Sequence, residues 1–316
     1  MPSILTFVET LGLAHEGAHT GKSIVILPSD VRKYSAMKFA RVFLPLLAAI
    51  VVVIPSTAQT KPTYEIYAIR YATVPDYPIA ELVSGADPAR KADIAMMVWL
   101  VRGNGHNILV DCGFYHDQFF KDWNIKGFIK PSDALKPLGV KPDDVTDIVI
   151  SHMHWDHADG MDLFPNARIW IQKEELEYYS GEAWQAKDTH GGIDPGDVLT
   201  LVKLNTQGHV GMVNGDAQEI LPGITCYTGG RHTYASQYVG VNTKAGTVVL
   251  ASDNMYMYEN LERHVPIAAT LDGVSNLHAQ ERMRTLAANP ALIIPGHDSA
   301  VLTKFPNPAP GIAKIE

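Results

Sequence analysis

Six consecutive residues, His152-Met153-His154-Trp155-Asp156-His157, carry three imidazoles and a carboxylate. Side chains spaced this closely cannot share one face of a helix or strand, where same-face positions recur every 3.6 or 2 residues. They call for a tight loop on which successive side chains converge. Neutral imidazoles together with a carboxylate are the donors a borderline cation such as Zn²⁺ takes. Three later residues have matching context, each closing an apolar, strand-like run. His232 follows Thr225-Cys226-Tyr227-Thr228 and two glycines, Asp253 follows Val248 to Ser252, and His297 follows Ile293-Ile294-Pro295-Gly296. Polar groups at strand ends are where folds of mixed α and β elements gather their sites.

The elements that must position these groups can be read along the chain. Ile148-Val149-Ile150 predicts a buried strand leading into the histidine loop, and Ala158-Asp159-Gly160 the opening of a helix or turn. Tyr64 to Ala72 predicts an opening strand. Ile94 to Val101 and Ile108 to Asp111 predict a hairpin whose turn glycines supply positive φ. A helix is expected over Ser132 to Leu138, capped by Ser132 and ended near Gly139. Ala167 to Ile171 predicts a strand and Lys173 to Tyr179 a helix start. Gly181 to Pro195 predicts a polar loop long enough to cover a site. Ile220 to Thr228, Tyr238 to Asn242, Thr247 to Ala251 and Leu292 to Ile294 predict strands, and Leu277 to Ala288 a helix. Two similar halves rich in strands, with helices interspersed, fit an α/β (α+β) class and an αββα sandwich.

The chain has 316 residues, 46% of them hydrophobic, and a formal net charge of −8. It carries no basic stripe of the kind that phosphate neutralisation demands, which argues against a nucleic-acid partner. Val42 to Ile54 is apolar over thirteen residues, short of the roughly 20 a membrane span needs. Lys38 and Arg41 precede it and Pro55-Ser56-Thr57-Ala58 follows, which reads as a secretory signal cut after Ala58. The expected organisation is an N-terminal extension over 1–36, a signal peptide over 37–58 and one folded domain over 59–316. Cleavage removes five basic residues (Lys22, Arg32, Lys33, Lys38, Arg41) and three acidic ones (Glu9, Glu16, Asp30). That leaves 21 basic and 31 acidic groups, a net of −10. A soluble acidic protein, periplasmic or secreted and with no membrane attachment after cleavage, is the expectation. Cys112 and Cys226 are too few for a disulfide scaffold, and pairing or two buried thiols both remain open. So does oligomeric state, a homodimer included.

The spacing His152-x-His154-x-Asp156-His157, followed by His232, Asp253 and His297, resembles the metallo-β-lactamase superfamily. The similarity spans roughly Tyr64 to Leu302 and takes in Leu109-Val110-Asp111-Cys112-Gly113 and Asn214-Gly215-Asp216. By that resemblance His152, His154 and His232 hold a first metal, Asp156, His157 and His297 a second, and Asp253 bridges them. His154, where iron-binding members carry Glu, implies two Zn²⁺ per chain, with other divalent metals open. One departure is plain: the usual Gly-His-Thr-Pro-Gly is Arg231-His232-Thr233-Tyr234-Ala235 here, which is expected to reshape the pocket rim. His190, His209, His264 and His278 lack motif context and are expected to be structural or at the rim.

Two metals roughly 3.5–4 Å apart can share a water and lower its pKa toward ~7, the chemistry of acyl-bond hydrolysis without a protein nucleophile. Asp156 is the expected proton carrier, and Asp111 is expected to fix imidazole tautomers from behind the ligands. Asp253-Asn254-Met255-Tyr256 places a phenol three residues beyond the bridging carboxylate, as in the acyl-homoserine lactonase branch, so Tyr256 is expected to stabilise an oxyanion. The expected substrate is a small molecule, a lactone or related ester. The alternatives are a β-lactam or a glyoxalase II-like thioester, with a non-catalytic metal-binding protein more remote. A bridging Asp253 weighs against the lactam, and the acidic charge against a nuclease.

Overall fold

The computed structural model describes residues 61–187 and 190–316. The extension, the signal segment and its cut after Ala58 lie outside the described residues. Among the described residues, twelve strands form two sheets. They are β1 (Glu65–Pro78), β2 (Lys91–Gly103), β3 (His106–Val110), β4 (Asp147–Val149), β5 (Arg168–Gln172), β6 (Val210–Val213), β7 (Gln218–Leu221), β8 (Ile224–Thr228), β9 (Gln237–Thr243), β10 (Gly246–Ser252), β11 (Ile293–Pro295) and β12 (Ile312–Lys314). The larger sheet has the order β12-β1-β2-β3-β4-β5-β6 and the smaller β11-β10-β9-β8-β7. Strands β3 to β6 run parallel, while β1, β2 and β3 are antiparallel neighbours. The helices are α1 (Phe119–Asp122), α2 (Pro131–Ala134), α3 (Trp155–Ala158), α4 (Lys173–Tyr179), α5 (Pro195–Thr206), α6 (Tyr258–Arg263), α7 (Gly273–Leu286) and α8 (Val301–Lys304).

Strand alternation sorts the apolar residues into layers. Along β1, Ile66 and Ala68 join the core with Val239, Val241, Val248 and Leu250 of the smaller sheet. Their neighbours Tyr67, Ile69 and Tyr71 face the opposite core, which includes Leu176 of α4 and Val198 and Leu201 of α5. Along β10, Val249 and Ala251 turn outward to Ala279 and Met283 of α7. Strands buried on both faces cannot show polar alternation, so each reads in sequence as a near-continuous apolar run. The result is helix, sheet, sheet, helix, the expected αββα sandwich.

Local readings differ at several points. Ile220 to Thr228 is two strands, β7 and β8, because Gly223 at φ +84° turns the chain after Pro222. The β2–β3 hairpin turns on Asn104 (φ +49°) and Gly105 (φ +79°), while Gly103 stays in the strand. Ser132 lies within α2 and does not cap it; Lys130 holds the cap position and Pro131 starts the helix with its pre-set φ. Helix α5, capped by Asp194 accepting from Gly196 and Asp197 N–H, begins where the polar loop was expected to end. Strands β6 and β12 and helices α1, α5, α6 and α8 are additions to the reading. Cys112 and Cys226 are both buried and unpaired thiols.

Candidate metal centre

The six-residue run is half loop, half helix. His152 and Met153 are irregular, His154 is the N-cap of α3, and Asp156 and His157 fall within its single turn. The helix therefore starts before Ala158, because the His154 carbonyl accepts from His157 and Ala158 N–H. One helical turn aims Asp156 and His157 in different directions, which an extended loop would not.

Two groups of donor atoms result. His152, His154, His232 and Asp253 form one; Asp156, His157 and His297 form the other. Within the first, His152 Nε2 and His232 Nε2 lie 3.1 Å and 2.8 Å from His154 Nδ1. In the second, Asp156 Oδ2 lies 3.4 Å from His157 Nε2 and 3.6 Å from His297 Nε2. Asp253 stands between them. Its Oδ2 is 3.4 Å from His232 Nε2 and 3.3 Å from His157 Nε2, and its Oδ1 is 3.1 Å from His297 Nε2.

The imidazole nitrogens turned away from these groups are all engaged. His232 Nδ1 contacts the Ala269 carbonyl at 2.7 Å, His297 Nδ1 the Ala95 carbonyl at 3.1 Å, and His154 Nε2 the Gly191 carbonyl at 3.1 Å. A carbonyl only accepts, so each of these nitrogens carries the proton. His157 Nδ1 meets Asp111 Oδ2 at 2.8 Å, and His152 Nδ1 meets Ser151 Oγ at 2.8 Å, which in turn meets Asp111 Oδ2 at 3.0 Å. The inward nitrogens are then bare lone pairs facing one another. His157 Nε2 and Asp253 Oδ1 are buried without a hydrogen-bond partner, their close ion-pair distances lacking hydrogen-bond geometry. Facing lone pairs and unpartnered buried atoms repel unless a cation sits among them, so this N and O donor set fits divalent metal.

Burial and charge act differently on the two donor groups. Burial, then the neighbouring imidazoles His157 and His232, pushes His152 well below the usual histidine range. Burial together with His232 pushes His154 down to about 3. Burial also opposes charge on His157 and His297, but the carboxylates Asp253 and Asp156 outweigh it and raise both. Asp253 is held well below the carboxylate range, burial being outweighed by His157 and His297.

A pocket of about 230 Å³ opens on this centre. Asp156, Asp253, His154, His232, His297 and Tyr256 line it together with Leu82, Ile94, Met96, Trp123 and Trp155. Tyr256 OH is 3.4 Å from His232 Nδ1. That nitrogen's proton already goes to Ala269, so the phenol proton has no good acceptor there. The expected covering loop does close over His154. Gly191 and Gly192 line the pocket, and a Cβ on Gly192 (φ +78°) would come within 2.8 Å of the His154 ring.

A family model described as the metallo-beta-lactamase superfamily matches residues 97–297, from β2 to the last of the seven residues. The chain belongs to the metallo-beta-lactamase superfamily. Its membership makes it a metal-dependent hydrolase. An N-acyl homoserine lactonase of Bacillus cereus is 29% identical over 227 residues, covering 67% of this chain and 84% of the relative. An N-acyl homoserine lactonase of Rhizobium johnstonii is 30% identical over 203 residues, covering 61% and 71%. Among solved structures, a quorum-quenching N-acyl homoserine lactone lactonase superposes with a TM-score of 0.63 at 25% identity, covering 78% of this chain and 97% of that one.

This superfamily member has supports that the sequence reading missed. Ser252, at φ +46°, donates to Asp111 Oδ2 at 2.8 Å, and Asp111 is itself at φ +58°. Both left-handed residues end strands, where strain is offset by the hydrogen bonds they make around His157. Glu175 of α4 is fully buried and accepts from Met153 N–H (3.1 Å), Thr233 Oγ1 (2.6 Å) and Ala235 N–H (2.6 Å). It ties the His152–His154 loop to the His232 loop. A strand-end Ser beside each ligand was a usable signal for Ser151 and Ser252; a Glu within a short helix offered none. At the departure from the superfamily pattern, Arg231 lies over the Tyr234 ring, which stacks on Tyr178 at 3.9 Å. Tyr178 lines a cavity that reaches His154 and His232. Of the other histidines, His190 stacks on Trp184 and His264 pairs with Glu281, neither within the two donor groups.

Proposed function

We propose that this hydrolase opens an acyl lactone, using two zinc ions held by His152, His154 and His232 and by Asp156, His157 and His297, with Asp253 shared between them. The carrying observation is the pocket lining, which combines Asp156, Asp253 and Tyr256 with the apolar residues Leu82, Ile94, Met96, Trp123 and Trp155. The curated relatives named as N-acyl homoserine lactonases support the same substrate class. When bound, the zinc pair supplies Lewis acidity and lowers the pKa of water toward ~7.

The chain's own groups do the rest. Asp156 keeps its charge because His157 and His297 outweigh the effect of burial. It orients the attacking water and carries its proton to the departing ring oxygen, so that lactone and water become a hydroxy acid. Burial, then Asp253 and Asp156, holds the Tyr256 phenol well above its ordinary range, so it remains a donor. That O–H meets the carbonyl oxygen as negative charge develops, where a fixed donor helps most. The apolar wall takes the acyl substituent and excludes water from it.

The test is a substrate panel on the zinc-loaded protein. Acyl-homoserine lactones of short and long chain are set against a chromogenic β-lactam and a glutathione thioester. Lactone opening with the others near background is expected; turnover of the thioester alone would overturn the proposal.

A further inference from the structure

A larger cavity, about 620 Å³, shares no lining residue with the metal pocket. It lies among α6, α7, the Pro290–Ala291 segment and the end of α8. Leu261, Pro290 and Phe305 give it apolar walls. Two cations and one acid stand around it: Lys304, Arg284 and Glu262. Neither cation has an ion-pair partner among the described residues. Lys304 Nζ instead rests 3.4 Å from the centre of the Tyr258 ring, and Arg284 donates to the Leu261 carbonyl. Tyr258 is only 7% exposed, and its hydroxyl has no hydrogen-bond partner.

We propose that this cavity binds a small amphiphile with one carboxylate head and an aliphatic tail of medium length. Lys304 and Arg284 outnumber Glu262 by one, which suits a monoanion. A carboxylate drawn between them adds charge-assisted hydrogen bonds in place of a cation–π contact and a lone carbonyl. The apolar walls take the tail, and the volume falls within the roughly 300–1,000 Å³ of small-molecule sites. The site stands whether or not the lactone reading holds, since none of its residues belongs to the metal centre.

Calorimetric titration of the zinc-loaded full chain with sodium decanoate tests this. The wild type is expected to show one more decanoate site than the double variant Lys304→Gln/Arg284→Gln, in which that site weakens at least ~10-fold. Glu262→Gln should tighten it. Hydrolytic kcat/KM is expected to stay unchanged in all of these, which separates the cavity from the active site. Identical decanoate isotherms for wild type and double variant would overturn the proposal. Inorganic phosphate or decyltrimethylammonium filling the same site as tightly as decanoate would also overturn it, the first by removing the tail and the second the charge.

Discussion

At the scale of single residues, the centre works because each imidazole is held from behind by an acceptor matched to one tautomer. Asp253, a member of the first donor group, also lies within 3.3 Å of His157 and 3.1 Å of His297 in the second. Asp253→Asn removes the negative charge and replaces one of the two oxygens with an NH2 group, so elemental analysis is expected to find fewer bound zinc ions per chain and activity close to background. Gly296 matters for a different reason: a Cβ there would come within 2.5 Å of Asp253 Oδ1. Gly296→Ala should therefore lower metal content as well, although residue 296 bears no ligand atom. Tyr256→Phe keeps the ring and removes only the donor. A fall in kcat on the order of 10²-fold with zinc content unchanged is expected for an oxyanion donor. Unchanged kcat would remove the phenol from the mechanism.

At the scale of elements, α4 joins two loops that the chain brings from opposite sheets. Glu175 is pushed up to about 7 from 4.5 by burial, its three donors working the other way. The folded protein thus holds this proton more tightly than the unfolded chain does. Its contribution is fully present below about pH 4.5 and is lost as pH rises through about 7. Comparing thermal midpoints of wild type and Glu175→Gln across pH 5 to 8 isolates that slope, which the variant should lack. Metal affinity of the variant should fall roughly 10-fold or more, as for other groups that orient ligands. A variant with the same pH slope and affinity as wild type would leave Glu175 as packing alone.

At the scale of the whole molecule, the site joins the ends of both sheets. Ala95 N–H of β2 donates to the His297 carbonyl beyond β11, and Gln237 N–H of β9 donates to the Ser151 carbonyl beyond β4. Metal binding is therefore coupled to the packing of one sheet on the other. Chelation should lower the thermal midpoint and abolish hydrolysis, and added zinc should restore both, because a ligand that binds only the folded form stabilises it. Recovery without metal uptake would contradict this. Among the described residues, no helix is long and apolar enough to cross a membrane. We propose from the Val42–Ile54 run that the chain is exported. N-terminal sequencing of the exported form should begin at Gln59, and a mature protein retaining Met37 would refute the cut.

Much of the centre was legible because its ligand types are clustered and each sits at the end of an apolar run. His152, His154, Asp156 and His157 announce themselves by spacing, and β4, β10 and β11 by their β-branched residues. Strands and αββα layering followed from the same alternation, since burial on two faces leaves a recognisable apolar run. Other features depend on contacts far apart in sequence. Asp111 reaches Ser252 across 141 positions, and Glu175 reaches Thr233 across 58. The Lys304, Arg284 and Tyr258 cavity likewise exists only where three helices meet. The one-dimensional pattern determined the donors and the strands that carry them. Only the tertiary structure decided which nitrogen of each imidazole faces inward, because that choice belongs to a distant carbonyl or carboxylate.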